Sequence, residues 1–193
     1  MKIAFFDFDG TITYKDSTIN FIRFIKGNTK FFIGIFLLSP FLLLYKLNII
    51  SNNAIKNIII KYYFKDMPIE YFRQKAEKFS LKYIDDIVRD KAIKRIKWHK
   101  EQGHTVVIVS ASIDLWLMPW CYRNNINLIS TKLETKNSKI SGICDKNCFG
   151  SEKVNRINRE YNLSNYDYIY AYGNSKGDYE MLEIADEKYY KPF

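Results

Sequence analysis

The stretch "KIAFFDFDGTIT", Lys2 to Thr13, decides how the rest of the chain is read. Ile3 to Phe8 is an apolar run bounded by an Asp-Gly turn signal, the pattern of a short strand buried on both faces of a sheet. Asp7 nevertheless stands inside that run, and Asp9 follows it after one residue. A buried ionised carboxylate without a partner is strongly destabilising. A spacing of two aims both carboxylates to the same side as the chain leaves the strand. The alternative is a β-hairpin with Asp9-Gly10 in its turn; it accounts for Asp9 and leaves Asp7 without a partner.

Further along, Val88, Ala92 and Ile96 recur at spacing four, predicting a helix that ends near Gln102 with Gly103 as its cap. "TVVIVS", Thr105 to Ser110, is a second buried strand, followed by a helix from Leu115 to about Asn124 and a strand in "INLIS". "TKLETKNSKISGIC" alternates on both sides of Asn137-Ser138, a hairpin pattern. A helix over Ser151 to Tyr161, a strand over Tyr166 to Tyr172, a helix over Asp178 to Ala185 and a last strand in "EKYYKPF" complete the reading. Strands followed by helices predict an α/β fold with a parallel sheet covered on both faces. Ligands of such sheets gather at the carboxyl ends of the strands, where Asp7 and Asp9 fall.

Between the first two strands lies a long helical insertion, in which Asp16 or Ser17 is placed to cap the first helix. From Phe31 the chain runs "FFIGIFLLSPFLLLYKLNII", fifteen residues without a charge as far as Tyr45. That is short of the roughly 20 residues of a spanning helix, and Pro40 is expected to break it into two short helices or a bent hairpin. Pro68 suits a helix start. The apolar residues either form the insertion's own core or leave a patch for lipid or a partner.

The totals exclude several classes. Apolar residues make up 47% and charged residues 26%, which argues against disorder. Lys and Arg outnumber Asp and Glu by 30 to 21, for a net charge of +9 that favours anionic partners or reflects an AT-rich genome's codon usage. The basic residues form no stripe with interleaved aromatics, so nucleic acid is not expected as a partner. Cys121, Cys144 and Cys148 form no CxxC, which argues against a disulfide scaffold or a zinc site. No signal-peptide pattern precedes the first strand, so a cytoplasmic location is expected. His99 and His104 are read as solvated surface residues, and without a GxSxG elbow a serine hydrolase is not supported.

Other pieces accompany the two acids. Ser110 closes the second strand, where its hydroxyl and a backbone amide suit a phosphate oxygen; the plainer reading is a helix cap at Ser110 or Ser112. Lys153, in "GSEKVNRI", sits at a helix start, where the dipole disfavours a cation unless an anion is near. "AYGNSKGDYEML" sets Asn174 and Asp178 in a glycine-flanked loop at another strand's carboxyl end. In this order, DxDGT after a hydrophobic strand, strand Ser, helix-start Lys and G[D/N]SxxD, the set resembles the haloacid dehalogenase-like (HAD) phosphatases. It looks closest to the IB subfamily of phosphoserine phosphatase and phosphatidylglycerophosphatase C type.

The resemblance implies a HAD-like Rossmann-type parallel sheet core, residues 1–13 and 86–193, with a helical C1-type cap inserted at 14–85. It implies an Mg2+-dependent phosphatase in which Asp7 is the nucleophile and Asp9 the general acid and base. Thr11, Ser110, Ala111 and Lys153 would hold the phosphate, and Asp7, Asp9, Asn174 and Asp178 the metal. The family usually has Asp where this chain has Asn174, which implies a weaker metal site. Phosphoserine phosphatase caps carry an acid and an arginine soon after the first strand. Here Arg23 is present in a segment dominated by aliphatics and Phe, with Lys26, Lys30 and Lys46 available to anionic headgroups. A lipid or lipid-like phosphate, with peripheral contact at the inner membrane, is therefore expected. A small soluble phosphate such as phosphoserine or a sugar phosphate, and a weakly catalytic phosphate-binding protein at membranes, are the alternatives.

Overall fold

In the computed structural model, which describes residues 1–193, the chain forms seven strands and seven α-helices. β1 (Lys2–Phe6) leads into α1 (Ser17–Lys46), α2 (Asn52–Phe64), α3 (Ile69–Tyr83) and α4 (Asp90–Glu101). β2 (Thr105–Ile113), α5 (Asp114–Arg123) and β3 (Asn127–Thr131) follow, then a hairpin of β4 (Leu133–Lys136) and β5 (Lys139–Cys144). α6 (Ser151–Glu160), β6 (Tyr168–Gly173), α7 (Tyr179–Glu183) and β7 (Glu187–Tyr190) complete the chain. Five strands pair in the order β3-β2-β1-β6-β7, every pair parallel, as the apolar runs require. The chain builds outward from β1 on one side, then crosses to β6 on the other. β1 is therefore central, and its carboxyl end lies at the switch point where such sheets bind ligands.

β1, β2 and β6 are buried on both faces. Ala4, Phe6 and Ile108 join one apolar cluster with Phe21, Phe64, Phe72, Phe79 and Trp116, so the helices between β1 and β2 share a core with the sheet. Ile3, Phe5, Val107 and Val109 face α6 and α7 on the other side. Thr13 and Val88 form an antiparallel bridge, flanked by hydrogen bonds from Arg89 N to Ile12 O (2.8 Å) and Tyr14 N to Ile87 O (3.0 Å). The chain thus leaves and re-enters the sheet region at one point. The hairpin turns at Asn137 and Ser138, both with positive φ (50° and 58°), the turn geometry that matches strand twist. Its β5 packs on α2, where Gly142 approaches the Lys61 backbone closely.

Three expectations need correction. Pro40 does not divide the apolar segment: α1 runs through it, and its one non-helical residue is Gly27, with φ 76° and ψ 165°. A proline inside a helix leaves the carbonyl four residues earlier without its donor. Here Ser39 Oγ donates to Phe36 O at 2.7 Å, so the carbonyl is satisfied and the helix continues. β2 does not end at Ser110 but continues to Ile113 with a register shift against β3, and α5 takes no side-chain cap from Ser110 or Ser112. His99 is fully buried: its Nδ1 is 2.8 Å from His104 Nδ1 and its Nε2 2.8 Å from Tyr172 OH.

α1 is long and apolar enough to cross a membrane, by length and composition. Asp16 caps it, accepting from Ile19 N at 2.8 Å. Its outward side is apolar too: Phe32, Ile33, Leu37 and Leu43 are exposed, and Phe36 is 77% exposed.

Candidate active site

The carboxyl end of β1 hands the chain to a tight turn, Phe8–Ile12, in which Gly10 has φ 85°, a conformation glycine adopts freely. The turn projects Asp7 and Asp9 into a cavity of 240 Å³ also lined by Ser110, Ala111, Lys153 and Asp178. Six of the predicted site residues therefore meet at one place. Thr11 and Asn174 stand beside Asp7: Thr11 Oγ1 is 3.0 Å from Asp7 Oδ2 and 3.2 Å from Asn174 Oδ1, donating between them.

Lys153 is the centre of charge. Its side chain is buried, with Nζ 2.7 Å from Asp7 Oδ1, 2.7 Å from Asp178 Oδ1 and 2.6 Å from Val109 O. The anion that a lysine at a helix start needs is thus supplied by two carboxylates. Burial disfavours the charged lysine, but Asp7 and Asp178 overcome it and raise its pKa. Burial pushes the Asp7 carboxyl above its ordinary range, with Lys153 pulling against it and Asp178 adding to the rise. Burial also works against the Asp178 charge, yet Lys153 and the backbone N–H groups of Ser175 and Asn174 hold its pKa below the usual value. Asp178 Oδ2 accepts from Asn174 N (3.0 Å), Ser175 N (2.9 Å) and Ser175 Oγ (2.9 Å), so both of its oxygens are engaged.

Asp9 is held separately. Ser17 N donates to its Oδ1 and Ser112 Oγ to its Oδ2, both at 2.6 Å. Burial, and then the nearby Asp16 charge, push its pKa up to about 7. Ser110 Oγ accepts from Ser112 N at 3.0 Å, so the β2 irregularity turns two serines toward the cavity.

Two functional candidates escaped the sequence reading. Ser112 appeared there only as a cap, although SxS at a strand end places both hydroxyls on one side. Lys56, from α2, donates to Ala111 O and to Asn147 Oδ1, the latter at 2.8 Å. Burial brings its pKa down to about 8. Asn52, Asn53, Lys56 and Asn57 lie at helical-face spacing, and that polar face was its only signal.

No group of three or more His, Cys, Asp and Glu side chains suited to a metal is present. The donors around Asp7 are instead one carboxylate and the Asn174 amide oxygen brought to it through Thr11. Such hard oxygens suit Mg2+, which keeps several waters and binds through one or two carboxylates plus substrate phosphate.

The chain matches the model of the haloacid dehalogenase-like hydrolase family over residues 4–183. It belongs to that family. Protein CicA of Caulobacter vibrioides (strain NA1000 / CB15N) is 31% identical over 191 residues, covering 97% of this chain and 85% of that protein. Among solved structures, a Bordetella pertussis Tohama I protein of unknown function superposes with a TM-score of 0.82 at 18% identity, covering 97% of this chain and 88% of that one. A phospho-aspartyl intermediate analogue of phosphoserine phosphatase gives 0.68 at 16% identity, covering 97% and 84%. These structures share the α/β fold described above.

Proposed function

We propose that this chain is an Mg2+-dependent phosphomonoester hydrolase of the IB branch, acting through an aspartyl-phosphate on a lipid or lipid-like phosphate. The observation that carries the reading is Lys153 clamped between Asp7 and Asp178, with Asp9 held independently in the same cavity. This arrangement supports a reading in which one carboxylate attacks and the other exchanges a proton.

Asp7 attacks phosphorus, the P–O ester bond breaks, and the departing alkoxide takes a proton from Asp9. Asp9 then accepts a proton from water as that water attacks the phospho-Asp7, releasing inorganic phosphate and restoring the carboxylate. Lys153, Ser110 and the Ala111 backbone neutralise and orient the phosphoryl oxygens, the larger part of phosphoryl-transfer catalysis. Thr11 sets the rotamer of Asp7. Bound Mg2+ would supply charge neutralisation at the phosphate, held by Asp7, the Asp9 carbonyl and Asn174, with Asp178 acting one step removed through Lys153 and the loop backbone.

Residues 14–85 serve as the cap, and the exposed apolar side of α1 supports peripheral contact with a bilayer. The test is Mg2+-dependent phosphate release from phosphatidylglycerophosphate, lysophosphatidic acid, phosphoserine and sugar phosphates, with Asp7→Asn beside the wild type. Turnover abolished by the substitution supports the mechanism, and the preferred class decides between lipid and soluble metabolite. Folded protein with Mg2+ and no turnover on any of them sinks the enzyme reading in favour of phosphate-ligand binding.

A further inference from the structure

A second cavity, of 500 Å³, opens between α1 and α2. Eleven of its sixteen lining residues are hydrophobic, among them Ile22, Ile35, Leu38, Leu42, Ile55 and Ile59. Its size is that of a ligand pocket, and a cavity walled by Leu, Ile and Phe favours hydrocarbon over water. Asp16, Thr18, Asn52 and Lys56 line both this cavity and the catalytic one. The two cavities therefore adjoin across these four residues, one polar around the acids and the other apolar beyond Lys56.

The helices run antiparallel along it. At the near end Asn52 Nδ2 donates to Tyr45 OH at 3.0 Å; at the far end Tyr63 OH donates to Phe31 O at 2.8 Å. Gly34 lets the helices close there, since a Cβ at that position would lie 2.1 Å from Tyr63 OH. Asn52 to Tyr63 on α2 spans about 16 Å at the rise of an α-helix. The groove thus has a definite length, with a hydrogen bond between the helices at each end. At its threshold Lys56 has no carboxylate partner, its ammonium donating only to Ala111 O and Asn147 Oδ1.

We infer that the α1–α2 groove is the subsite for a single hydrocarbon chain of the substrate, entered from the catalytic cavity past Lys56. The inference rests on the phosphomonoesterase reading and sharpens it: the substrate is an amphiphilic phosphomonoester whose chain lies inside the protein while its phosphate meets Asp7. Lys56 faces the segment joining phosphate to chain, where it favours an anionic or ester oxygen.

The experiment is hydrolysis of n-alkyl phosphates of increasing length, each below its micellar concentration, by wild type, Ile59→Trp and Leu42→Trp. In the wild type kcat/KM rises about fourfold per methylene buried, then levels off once the groove is full. Tryptophan on either wall shortens the rise, so the ratio of long-chain to short-chain kcat/KM falls by at least tenfold. Hydrolysis of short esters with no chain-length dependence overturns the groove and leaves the phosphatase reading intact. A slope unaffected by both variants also overturns it, because the chain then binds elsewhere; a groove filled by a second copy would show as a flat slope with a dimer in solution. If no ester is hydrolysed, the phosphatase reading has failed, and calorimetric titration of the same series tests the groove alone: affinity that grows with length supports it, and uniform affinity overturns it.

Discussion

Gly10 and Asn174 occupy adjoining space so closely that a Cβ on residue 10 would lie 2.3 Å from the Asn174 amide nitrogen. Gly10 also has φ 85°. Gly10→Ala therefore meets two penalties, a left-handed backbone costing about 1–2 kcal/mol and a displaced Asn174. The expected result is a lower urea midpoint, together with a rise of about tenfold in the Mg2+ concentration needed for half-maximal activity. A variant with the wild-type Mg2+ requirement would show that Asn174 is not a ligand.

Replacing the amide by the usual acid works in the other direction. Asn174→Asp adds a charged oxygen beside Asp7, so the Mg2+ requirement should fall by about tenfold, while the apo protein loses stability from the added like charge. Thermal melts with and without Mg2+ measure both effects.

Lys153→Met leaves two carboxylates facing each other without their shared cation. Breaking a buried ion pair from one side costs about 3–5 kcal/mol, and urea unfolding at neutral pH should register a loss of that order. Phosphate release should disappear with it.

His99 makes acid stability testable. Burial first, then His104 and Arg95, lower its pKa from 6.5 to about 3. The unfolded chain binds the proton first, so this contribution is complete above pH 6.5 and is lost as pH falls toward 3. The slope is about 1.4 kcal/mol per pH unit within that window. His99→Gln should flatten the pH dependence of the urea midpoint between pH 6.5 and 4.5; an unchanged slope would show that other groups govern it.

The outward side of α1 predicts vesicle binding. Phe32→Ser with Phe36→Ser should reduce co-flotation with anionic vesicles several-fold without lowering the melting temperature, because both rings are already exposed.

The strands and the acids were legible because their signals are local. Asp7 is conspicuous within "IAFFDF", and β1, β2 and β6 are dominated by apolar, β-branched or aromatic residues. The site's partners were legible only as a set, since Lys153 reaches Asp7 across 146 residues of sequence. Ser112 and Lys56 matter through a strand irregularity and a helix crossing that one-dimensional spacing does not carry. Pro40 misled because the Ser39 hydroxyl that satisfies Phe36 O looks like a loop residue beside a proline. His99 misled because lysines at 97 and 100 hid the fact that it extends the stripe of Ala92 and Ile96.

The helices between β1 and β2 meet the rest of the molecule along two unlike seams. Beside α3, Phe72 packs on Trp116 and Ser80 Oγ accepts from Trp120 N, a contact made largely of hydrocarbon. Beside α2 the apolar contact is joined by a set of amide hydrogen bonds: Asn53 and Asn57 accept from Asn147 N and Cys144 N, and the Asn147 side chain accepts from Lys56 and Thr131. Water replaces an amide's partner far more cheaply than it replaces a ring's neighbours. Solvent can therefore loosen the asparagine seam at less cost than the aromatic one, and it is the asparagine seam that borders the cavity of Asp7 and Asp9, through Asn52 and Lys56.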